Sequence, residues 1–267
     1  MANPGPIGVF DSGFGGLTVL AEFLKALPDR DYLYLADAAR VPYGDRDPEE
    51  ILRFTEQSVG WLFSQGCGLV VIACNTATAF AIRPLQQKSF PNRKILGVTI
   101  PAAEKVAASG WKKVGVLATS KTVQDRTYGK RIRLLDPSVE VCEVECPALV
   151  PLLEEGKVAD ATTAEALRGY VAQLPADIDA LVLGCTHYHV LESAVREMVA
   201  CPVVNPGAQS AAALADYFSR HPEVDALISR GGGRSFATTG DPEKFARWAP
   251  LFLGSPAGKV RQVRLAA

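Results

Sequence analysis

Short apolar runs alternate along the chain with longer stretches whose apolar residues recur at helical spacing. The run 69–73 (LVVIA) has the length and β-branched content of a strand that is buried on both faces, as in a parallel sheet. Similar runs predict strands at 7–10, 32–36, 69–73, 95–98, 113–118, 139–144, 180–184 and 202–206. Amphipathic spacing and capping residues predict helices at 18–26, 48–65, from 75 onward, 162–174, 209–218 and 242–250.

The order of these elements occurs twice along the chain. In each half, a strand with a polar turn is followed by a strand with a loop, a helix, and a strand that ends in a cysteine. This predicts an α/β fold of two similar domains, each a mostly parallel sheet flanked by helices, with the active site in the cleft between them. The second series is complete near residue 208, so the tail is expected to pack on the first domain. Residues 1–97 and 209–267 would form the first domain and residues 98–208 the second.

A glycine-rich segment at 230–234 (RGGGR) has the composition of a phosphate loop. No predicted strand leads into it, as a P-loop requires, so we predict a mobile hairpin there. A strand and turn are expected to follow over 235–241.

The overall composition argues against several classes of partner. The 267 residues carry 28 basic and 29 acidic side chains, well mixed, which offers no basic surface for nucleic acid or an anionic membrane. No apolar run approaches the roughly 18 residues that a membrane-spanning helix needs, and the N-terminal segment lacks a charged, hydrophobic leader. We therefore expect a cytoplasmic protein that acts on a small molecule.

Six cysteines in a chain of this kind indicate reduced thiols rather than a disulfide framework. Cys142 and Cys146 have the spacing of a metal-binding pair, but neither a second pair nor a neighbouring histidine accompanies them. We therefore predict no metal site.

Cys74 and Cys185 each stand where a predicted strand ends and a helix is expected to begin. Open α/β sheets bind ligands at this junction, and the helix dipole and unpaired N–H groups there favour a thiolate over a thiol that titrates at about 8.5. A single cysteine after a strand is more often a small core residue. Two copies of the arrangement favour two equivalent half-sites that face one ligand.

Two further polar turns fall at the same edge of the first predicted sheet. Asp11 and Ser12 follow the first strand in a turn with three glycines, which indicates backbone that approaches a ligand; capping of the next helix is their alternative role. Thr18 occupies the third glycine position of the dinucleotide fingerprint and a Walker lysine is lacking, so nucleotide binding is not expected. In the loop 37–47, Tyr43 offers a hydroxyl and a flat apolar wall to a ligand.

Two thiols presented across one cleft suit the chemistry of racemisation. One thiolate removes a proton from one face of a carbon while the other thiol returns a proton to the opposite face. Helix N-termini can stabilise the carbanionic charge beside a carboxylate, and the sequence does not indicate a pyridoxal lysine or any other cofactor. Asp11 near Cys74 and His187 near Cys185 are placed to move protons, with helix capping as the alternative for His187.

Two other classes of function stay open on the residues alone. A cysteine hydrolase or amidase with Cys74 as nucleophile needs one thiol and leaves Cys185 unexplained. A non-catalytic binding module with two capped helices would tolerate the loss of either thiol.

Six short motifs resemble those of the cofactor-independent aspartate/glutamate racemase superfamily. The paired cysteine motifs are specific, and the DSG and PYG motifs favour the glutamate branch. The resemblance extends from residue 7 to residue 254, with motifs at 11–13 (DSG), 42–44 (PYG), 73–77 (ACNTA), 149–154 (LVPLLE), 184–188 (GCTHY) and 239–241 (TGD).

This resemblance implies an isomerase that interconverts L-glutamate and D-glutamate without a cofactor. It implies a cytoplasmic homodimer that supplies D-glutamate for peptidoglycan, and hence for cell wall biogenesis and cell shape. A racemase for aspartate or another amino acid of the same superfamily is the nearest alternative.

The resemblance also assigns roles residue by residue. Cys74 would exchange the proton with D-glutamate and Cys185 with L-glutamate, while Asp11, Glu154 and His187 assist. The residues that would hold the substrate are Asp11, Ser12, Tyr43, Gly44, Asn75, Thr76, Thr186 and His187, with Thr119 as a contact of its α-carboxylate.

Two features set this chain apart from the family pattern. Members usually continue the second cysteine motif with proline, where this chain has His189, so the entry into the following helix and the pH dependence are expected to differ. Some members carry an N-terminal extension that binds a cell-wall precursor. Only six residues precede Ile7, so that mode of activation is not expected.

Overall fold

Two parallel β-sheets, flanked by helices, form the framework of the protein, as the apolar runs predict. The computed structural model describes residues 3–265, and the four terminal residues that the predicted first domain includes lie outside this range. The strands are β1 (Ile7–Asp11), β2 (Tyr32–Ala36), β3 (Leu69–Ile72), β4 (Ile95–Gly97), β5 (Lys113–Ala118), β6 (Glu140–Glu145), β7 (Ala180–Gly184), β8 (Val203–Val204), β9 (Arg234–Thr238) and β10 (Val260–Gln262).

The first sheet has the strand order β10-β9-β2-β1-β3-β4, and all its strands are parallel. β1 lies between β2 and β3, so its residues are buried on both faces, which explains the continuous apolar run. Phe10 pairs with both Leu35 and Ile72, so the three strands end at the same edge of the sheet. The segments that begin with Asp11 and Cys74 therefore emerge side by side.

The second sheet has the order β6-β5-β7-β8 and is also parallel throughout. Ala118 pairs with Gly184 across β5 and β7. Thr119 and Cys185, the residues that follow, therefore lie at one edge of this sheet.

Helices connect the strands and cover the faces of both sheets. The predicted helices are present, with shifted ends, and further helices occur where the apolar pattern is too short or too alanine-rich to be distinctive. They are α1 (Leu17–Ala26), α2 (Pro48–Ser64), α3 (Asn75–Pro84), α4 (Thr99–Ala108), α5 (Ser120–Gln124), α6 (Thr127–Leu135), α7 (Leu149–Glu154), α8 (Ala161–Val171), α9 (Glu192–Met198), α10 (Pro206–Arg220), α11 (Pro222–Asp225) and α12 (Pro242–Leu253).

The glycine-rich segment 230–234 is not a hairpin, and this prediction was wrong. β9, which follows it, lies parallel to β2, with Tyr32 paired to Arg234. The backbone N–H of Gly233 donates to the Asp31 carboxylate at 2.7 Å, and Arg230 pairs with Asp29 at 2.6 Å. The segment is thus an ordered entry into a strand, held by two carboxylates that lie just before β2.

The tail joins the first sheet through β9 and β10. The predicted domain boundaries at 97/98 and 208/209 nevertheless remain a prediction, because one hydrophobic cluster contains buried residues from both sheets, among them Val9, Leu117 and Leu183. Separate clusters cover the outer faces of the first and second sheets. The two sheets therefore share part of their core.

Within residues 3–265, none of the helices combines the length and the apolar character needed to cross a membrane.

Candidate active site

A small cavity lies between the two sheets, at the edges where β1, β3, β5 and β7 end. Its volume is about 20 Å³, which is room for roughly one water molecule. An amino acid is several times larger, so its admission requires the walls to separate. The lining residues are Ser12, Val41, Pro42, Tyr43, Gly44, Cys74, Asn75, Thr76, Thr119, Val150, Cys185, Thr186 and His187.

The cavity brings together all the residues assigned to the site by the motifs except Asp11 and Glu154. Those two carboxylates are buried and bonded to lining residues, Asp11 to Thr186 and Glu154 to His187. Val41, Pro42 and Val150 also line the cavity, although the sequence pattern did not single them out as site residues.

Cys74 caps the N-terminus of α3, as predicted. Its Sγ accepts a hydrogen bond from the Ala77 N–H at 3.4 Å and lies 3.5 Å from the hydroxyl of Ser12. Burial nevertheless raises the pKa of Cys74 to about 12, the negative charge of Asp11 adds to the rise, and the two hydrogen bonds only partly oppose it. The expected preference for the thiolate is therefore wrong for the closed cavity: here the helix N-terminus is outweighed by the loss of water.

Cys185 has a different environment, because the predicted α-helix after it is a 3₁₀-helix over Thr186–Leu191. The Sγ of Cys185 lies 3.9 Å from His187 Nδ1. On its other side, the His187 Nε2 lies 2.7 Å from Glu154 Oε1. His187 is thus the middle member of a buried chain from Cys185 to Glu154 and does not serve as a helix cap.

The Glu154–His187 pair is ionised in this setting. Burial works against charge on His187, but its hydrogen bonds to Cys185 and Glu154 raise its pKa well above the ordinary value. Burial likewise opposes charge on Glu154, yet the bond to His187 leaves its pKa below the usual range. The Phe14 N–H also donates to Glu154 at 3.3 Å, and the Lys244 ammonium lies 3.9 Å from its second oxygen. A protonated imidazole therefore faces the Cys185 thiol.

Asp11 ends β1 and is fully buried. Since α1 begins only at Leu17, with Gly16 as its N-cap residue, the alternative role of Asp11 and Ser12 as helix caps is wrong. The Asp11 carboxylate accepts from the Gly13 N–H at 3.0 Å and from the Thr186 hydroxyl at 3.3 Å. Burial raises its pKa to about 6, although the charge of His187 opposes the rise.

Replacing Asp11 by Asn is expected to stabilise the fold, because the raised pKa means that an ionised Asp11 is costly in the folded state. Below pH 3.8 the carboxyl is neutral whether the chain is folded or unfolded, and the cost grows as pH rises from there to about 6. The gain of Asp11→Asn should be small at pH 4 and should reach at most about 3 kcal/mol at pH 7, since a tenfold change in proton affinity corresponds to about 1.4 kcal/mol. Urea unfolding of the variant and the parent at pH 4 and pH 7 measures this difference in stability. A variant that is less stable than the parent at pH 7 would contradict this reading of Asp11.

The glycines after Asp11 let the turn pass close to the second sheet's loop. A Cβ atom on Gly13 would lie 2.5 Å from Glu154 Oε1, and one on Gly15 would overlap the imidazole of His187 and the hydroxyl of Thr186. The sequence indicated backbone that approaches a ligand. In the structure, this backbone approaches the residues that hold Cys185 in place.

Gly15→Ala is therefore expected to push His187 away from its position and to lower kcat by at least about tenfold, because small displacements of a reacting group are costly. The chain should still fold. Gly169→Ala is the matched control, since a Cβ there meets no atom within 4 Å and the position is helical. Assays of catalytic activity and thermal melts of both variants test this, and equal activity of the two would show that the close approach of Gly15 is unimportant.

Tyr43 is held by Asp37, at the start of its own loop, and Asp37 is in turn held by Thr239 from a distant part of the chain. The Tyr43 hydroxyl donates to Asp37, whose other oxygen accepts from the Thr239 hydroxyl at 2.8 Å. Thr239 belongs to the TGD motif, so that motif supports the cavity wall from behind. Asp37 was missed as a supporting residue because only the folded chain brings 37 and 239 together.

Three threonine hydroxyls form a cluster that joins the two sheets at the cavity. Thr76 and Thr119 lie 3.0 Å apart, and Thr122 lies 3.0 Å from Thr119 and 3.4 Å from Thr76. Thr122 was not predicted; its position one helical turn after Thr119 is the signal that could have found it.

The fold and site define a class of protein: two parallel sheets that each present a thiol, from the end of a strand, to one shared cavity. The chain belongs to the Asp/Glu/Hydantoin racemase family, whose model matches residues 7–215. The resemblance seen in the motifs is thereby confirmed, as is the α/β fold with parallel sheets.

Several relatives are similar along nearly their whole length. A protein from Geobacter metallireducens named glutamate racemase is 40% identical over 267 residues, covering 98% of this chain and 97% of the relative. A crystal structure of glutamate racemase from Francisella tularensis in complex with D-glutamate superposes with a TM-score of 0.89 at 30% identity, covering 99% of this chain and 98% of that one. Glutamate racemase from Thermus thermophilus in complex with β-chloro-D-alanine has a TM-score of 0.84 at 36% identity, covering 97% and 96%.

Proposed function

We propose that this protein is a glutamate racemase that interconverts L-glutamate and D-glutamate by proton transfer to and from Cys74 and Cys185. The observation that carries the proposal is the shared cavity, because a single thiol would suffice for a hydrolase whereas two thiols from separate sheets fit exchange on two faces of one carbon. The relatives that match nearly the whole chain are named for the same activity.

The reaction transfers one proton in each direction. A thiolate on one side takes the α-proton, and the electron pair left on the carbon is delocalised into the α-carboxylate. The thiol on the other side then gives its proton to the opposite face, and becomes the thiolate. Groups that donate hydrogen bonds to the carboxylate lower the energy of this carbanionic state. Asn75, Thr76 and Thr119 are the candidates for that role on the wall formed by α3 and α5.

The high pKa of Cys74 in the closed cavity fits this scheme once charge is considered. An opposite charge within a few ångströms favours the ionised form of a buried group. The α-ammonium group of a bound amino acid supplies such a charge in the cavity beside Cys74. The Cys74 thiolate is then formed where substrate is present, and Cys74 keeps its proton in the resting site. The protonated His187 places a positive charge beside Cys185.

The test is to incubate the purified protein with L-glutamate, D-glutamate or L-aspartate separately, without added cofactor, and to follow optical activity. Exchange of the α-hydrogen with deuterated water is measured in parallel. We expect turnover of both glutamate enantiomers with deuterium incorporation. Turnover of aspartate alone would show that aspartate, and not glutamate, is the substrate. A covalent acyl adduct on Cys74 without exchange of the α-hydrogen would favour a hydrolase.

The cellular role that follows from this activity is supply of D-glutamate to peptidoglycan synthesis in the cytoplasm, with effects on cell wall biogenesis and cell shape. A homodimer, as the motif resemblance implies, is part of the proposal. Depletion of the protein should cause lysis or rounding that added D-glutamate relieves, and sedimentation of the purified protein measures its oligomeric state.

A further inference from the structure

The amide oxygen and the amide nitrogen of Asn75 differ in their hydrogen bonding. Asn75 is the first residue of α3, is 3% exposed, and lines the cavity next to Cys74. Its Oδ1 accepts a hydrogen bond of 2.6 Å from the hydroxyl of Tyr128. Its Nδ2 is buried and has no hydrogen-bond partner among residues 3–265. One end of the amide is thus fully engaged, and the other is an unused donor in the cavity wall.

A buried donor without a partner is costly, by an amount comparable to a lost hydrogen bond. Such a group persists where a ligand supplies the missing acceptor. A carboxylate is the acceptor that an amino-acid substrate brings, and the amide Nδ2 can donate to it whereas Oδ1 would repel it. The orientation of this amide therefore matters for binding.

Tyr128 sets that orientation. It lies in the first turn of α6, in the second sheet's half of the molecule, and is fully buried behind Asn75. Its ring packs against Gly184, the residue before Cys185, where a Cβ atom would lie 3.0 Å from the ring. Burial also raises the pKa of this phenol far above any working pH, so its hydroxyl keeps its proton.

We propose that Tyr128 is a positioning residue that holds the Asn75 amide with Nδ2 facing the cavity as a donor for a substrate carboxylate. This inference rests on the proposed function, because the ligand is the carboxylate of glutamate. The bond joins α3 to α6, so the donor is presented correctly only when the two halves of the cavity are together.

Tyr128→Phe removes the hydroxyl and keeps the ring. We expect the KM for both glutamate enantiomers and the Kd for D-glutamate, measured by calorimetry, to rise about tenfold, which corresponds to about 1.4 kcal/mol. The value of kcat should fall as well, since the Asn75 donor also stabilises the carbanionic charge that develops on the same carboxylate. Tyr32→Phe is the matched control, because Tyr32 is a buried tyrosine whose hydroxyl donates to the carbonyls of Phe23 and Leu27, away from the cavity.

A double-mutant cycle separates positioning from a structural role. If Tyr128 acts through Asn75, Tyr128→Phe should raise Kd in the parent and have little further effect in an Asn75→Ala background. Asn75→Asp keeps the acceptor for Tyr128 but replaces the donor Nδ2 by an oxygen, so it should weaken binding at least as much as Asn75→Ala.

Each outcome decides between the two proposals. Unchanged KM and Kd in Tyr128→Phe, or effects that add fully in the cycle, would overturn the role of Tyr128 while glutamate turnover by the parent upholds the racemase. A parent that binds D-glutamate without racemising it would overturn the proposed reaction, and the Kd values would still decide on Tyr128. A parent that neither binds nor turns over glutamate would overturn both.

Discussion

Replacement of either Cys74 or Cys185 by Ser is expected to lower racemisation of glutamate by at least about 10³-fold. A serine hydroxyl is far less acidic than a thiol, so it neither removes the α-proton nor returns one, and positioned acid–base groups typically contribute about 10²–10⁴-fold each. Because a racemase needs a base on one face and an acid on the other, loss of one thiol stops the reaction in both directions. Optical rotation measures the effect, with Cys67→Ser, a buried thiol outside the cavity lining, as the control.

The two variants should still differ in a reaction that needs only one proton abstraction. A glutamate analogue with a leaving group at the β-position can eliminate once its α-proton is removed, without a proton from the other face. Each variant should therefore process one enantiomer of such an analogue, and the two should have opposite preferences. The motif resemblance predicts that Cys74 serves D-glutamate, so Cys74→Ser should retain elimination from the L-analogue.

Two results would contradict the two-thiol mechanism for this protein. One is full racemase activity in either serine variant. The other is the same enantiomeric preference in both.

Glu154→Gln is expected to lower kcat by about 10²-fold near pH 8 and by much less near pH 6. Burial lowers the pKa of the His187 imidazole, and the hydrogen bonds to Cys185 and Glu154 together outweigh it, so Glu154 is one of the two groups that keep His187 protonated. With Gln, the pKa of His187 falls, and the imidazole loses its proton at a lower pH. The cation that supports Cys185 then disappears as pH rises, so the alkaline limb of the pH–rate profile should move to lower pH.

The same substitution should alter the pH dependence of stability. Folding raises the pKa of His187, so its contribution to stability is present below about pH 6.5 and is lost as the pH rises through its folded pKa. Folding lowers the pKa of Glu154, so its contribution is present above about pH 4.5 and is lost as the pH falls through its folded pKa. The free energy of unfolding of Glu154→Gln should therefore differ most from that of the parent between about pH 4.5 and 6.5, where both contributions are present. The difference should shrink as pH rises further towards the pKa of His187 in the folded protein.

Glu223→Gln is the matched control for both measurements, because Glu223 pairs with His221 at 3.2 Å on the surface. Such an exposed pair contributes little to stability. If Glu154→Gln leaves the pH–rate profile where it is, His187 does not depend on Glu154 for its charge.

Much of this protein can be predicted from its apolar pattern. A strand buried on both faces must be apolar throughout, so the runs 69–73 and 180–184 predict parallel strands. The residue that follows such a strand lies at the sheet edge where ligands bind. The α/β class, the parallel sheets and the family all follow from local sequence and are confirmed. The cysteines are recognisable for the same reason: each comes directly after such a strand.

Properties that require two distant segments of the chain to meet were decided only by the tertiary structure. The helix after Cys185 is 3₁₀, and its first residues lie against the turn at Gly15, a contact that no local propensity reports. Helix capping was the alternative role for Asp11, whereas its buried carboxylate accepts a hydrogen bond from Thr186. Capping predicted an acidic Cys74 thiol, but a pKa is set by the balance of burial and charge, and burial is a property of the assembled fold.

The partnerships that give the site its chemistry are of the same kind. Glu154 meets His187, Asp37 meets Thr239, and Tyr128 meets Asn75 only after the two sheets have packed on a shared core. A sequence shows which side chains are able to donate, accept or carry charge. Which of them do so to one another is decided by the distance between them, because hydrogen bonds and ion pairs act over a few ångströms while the residues concerned are tens or hundreds of positions apart along the chain.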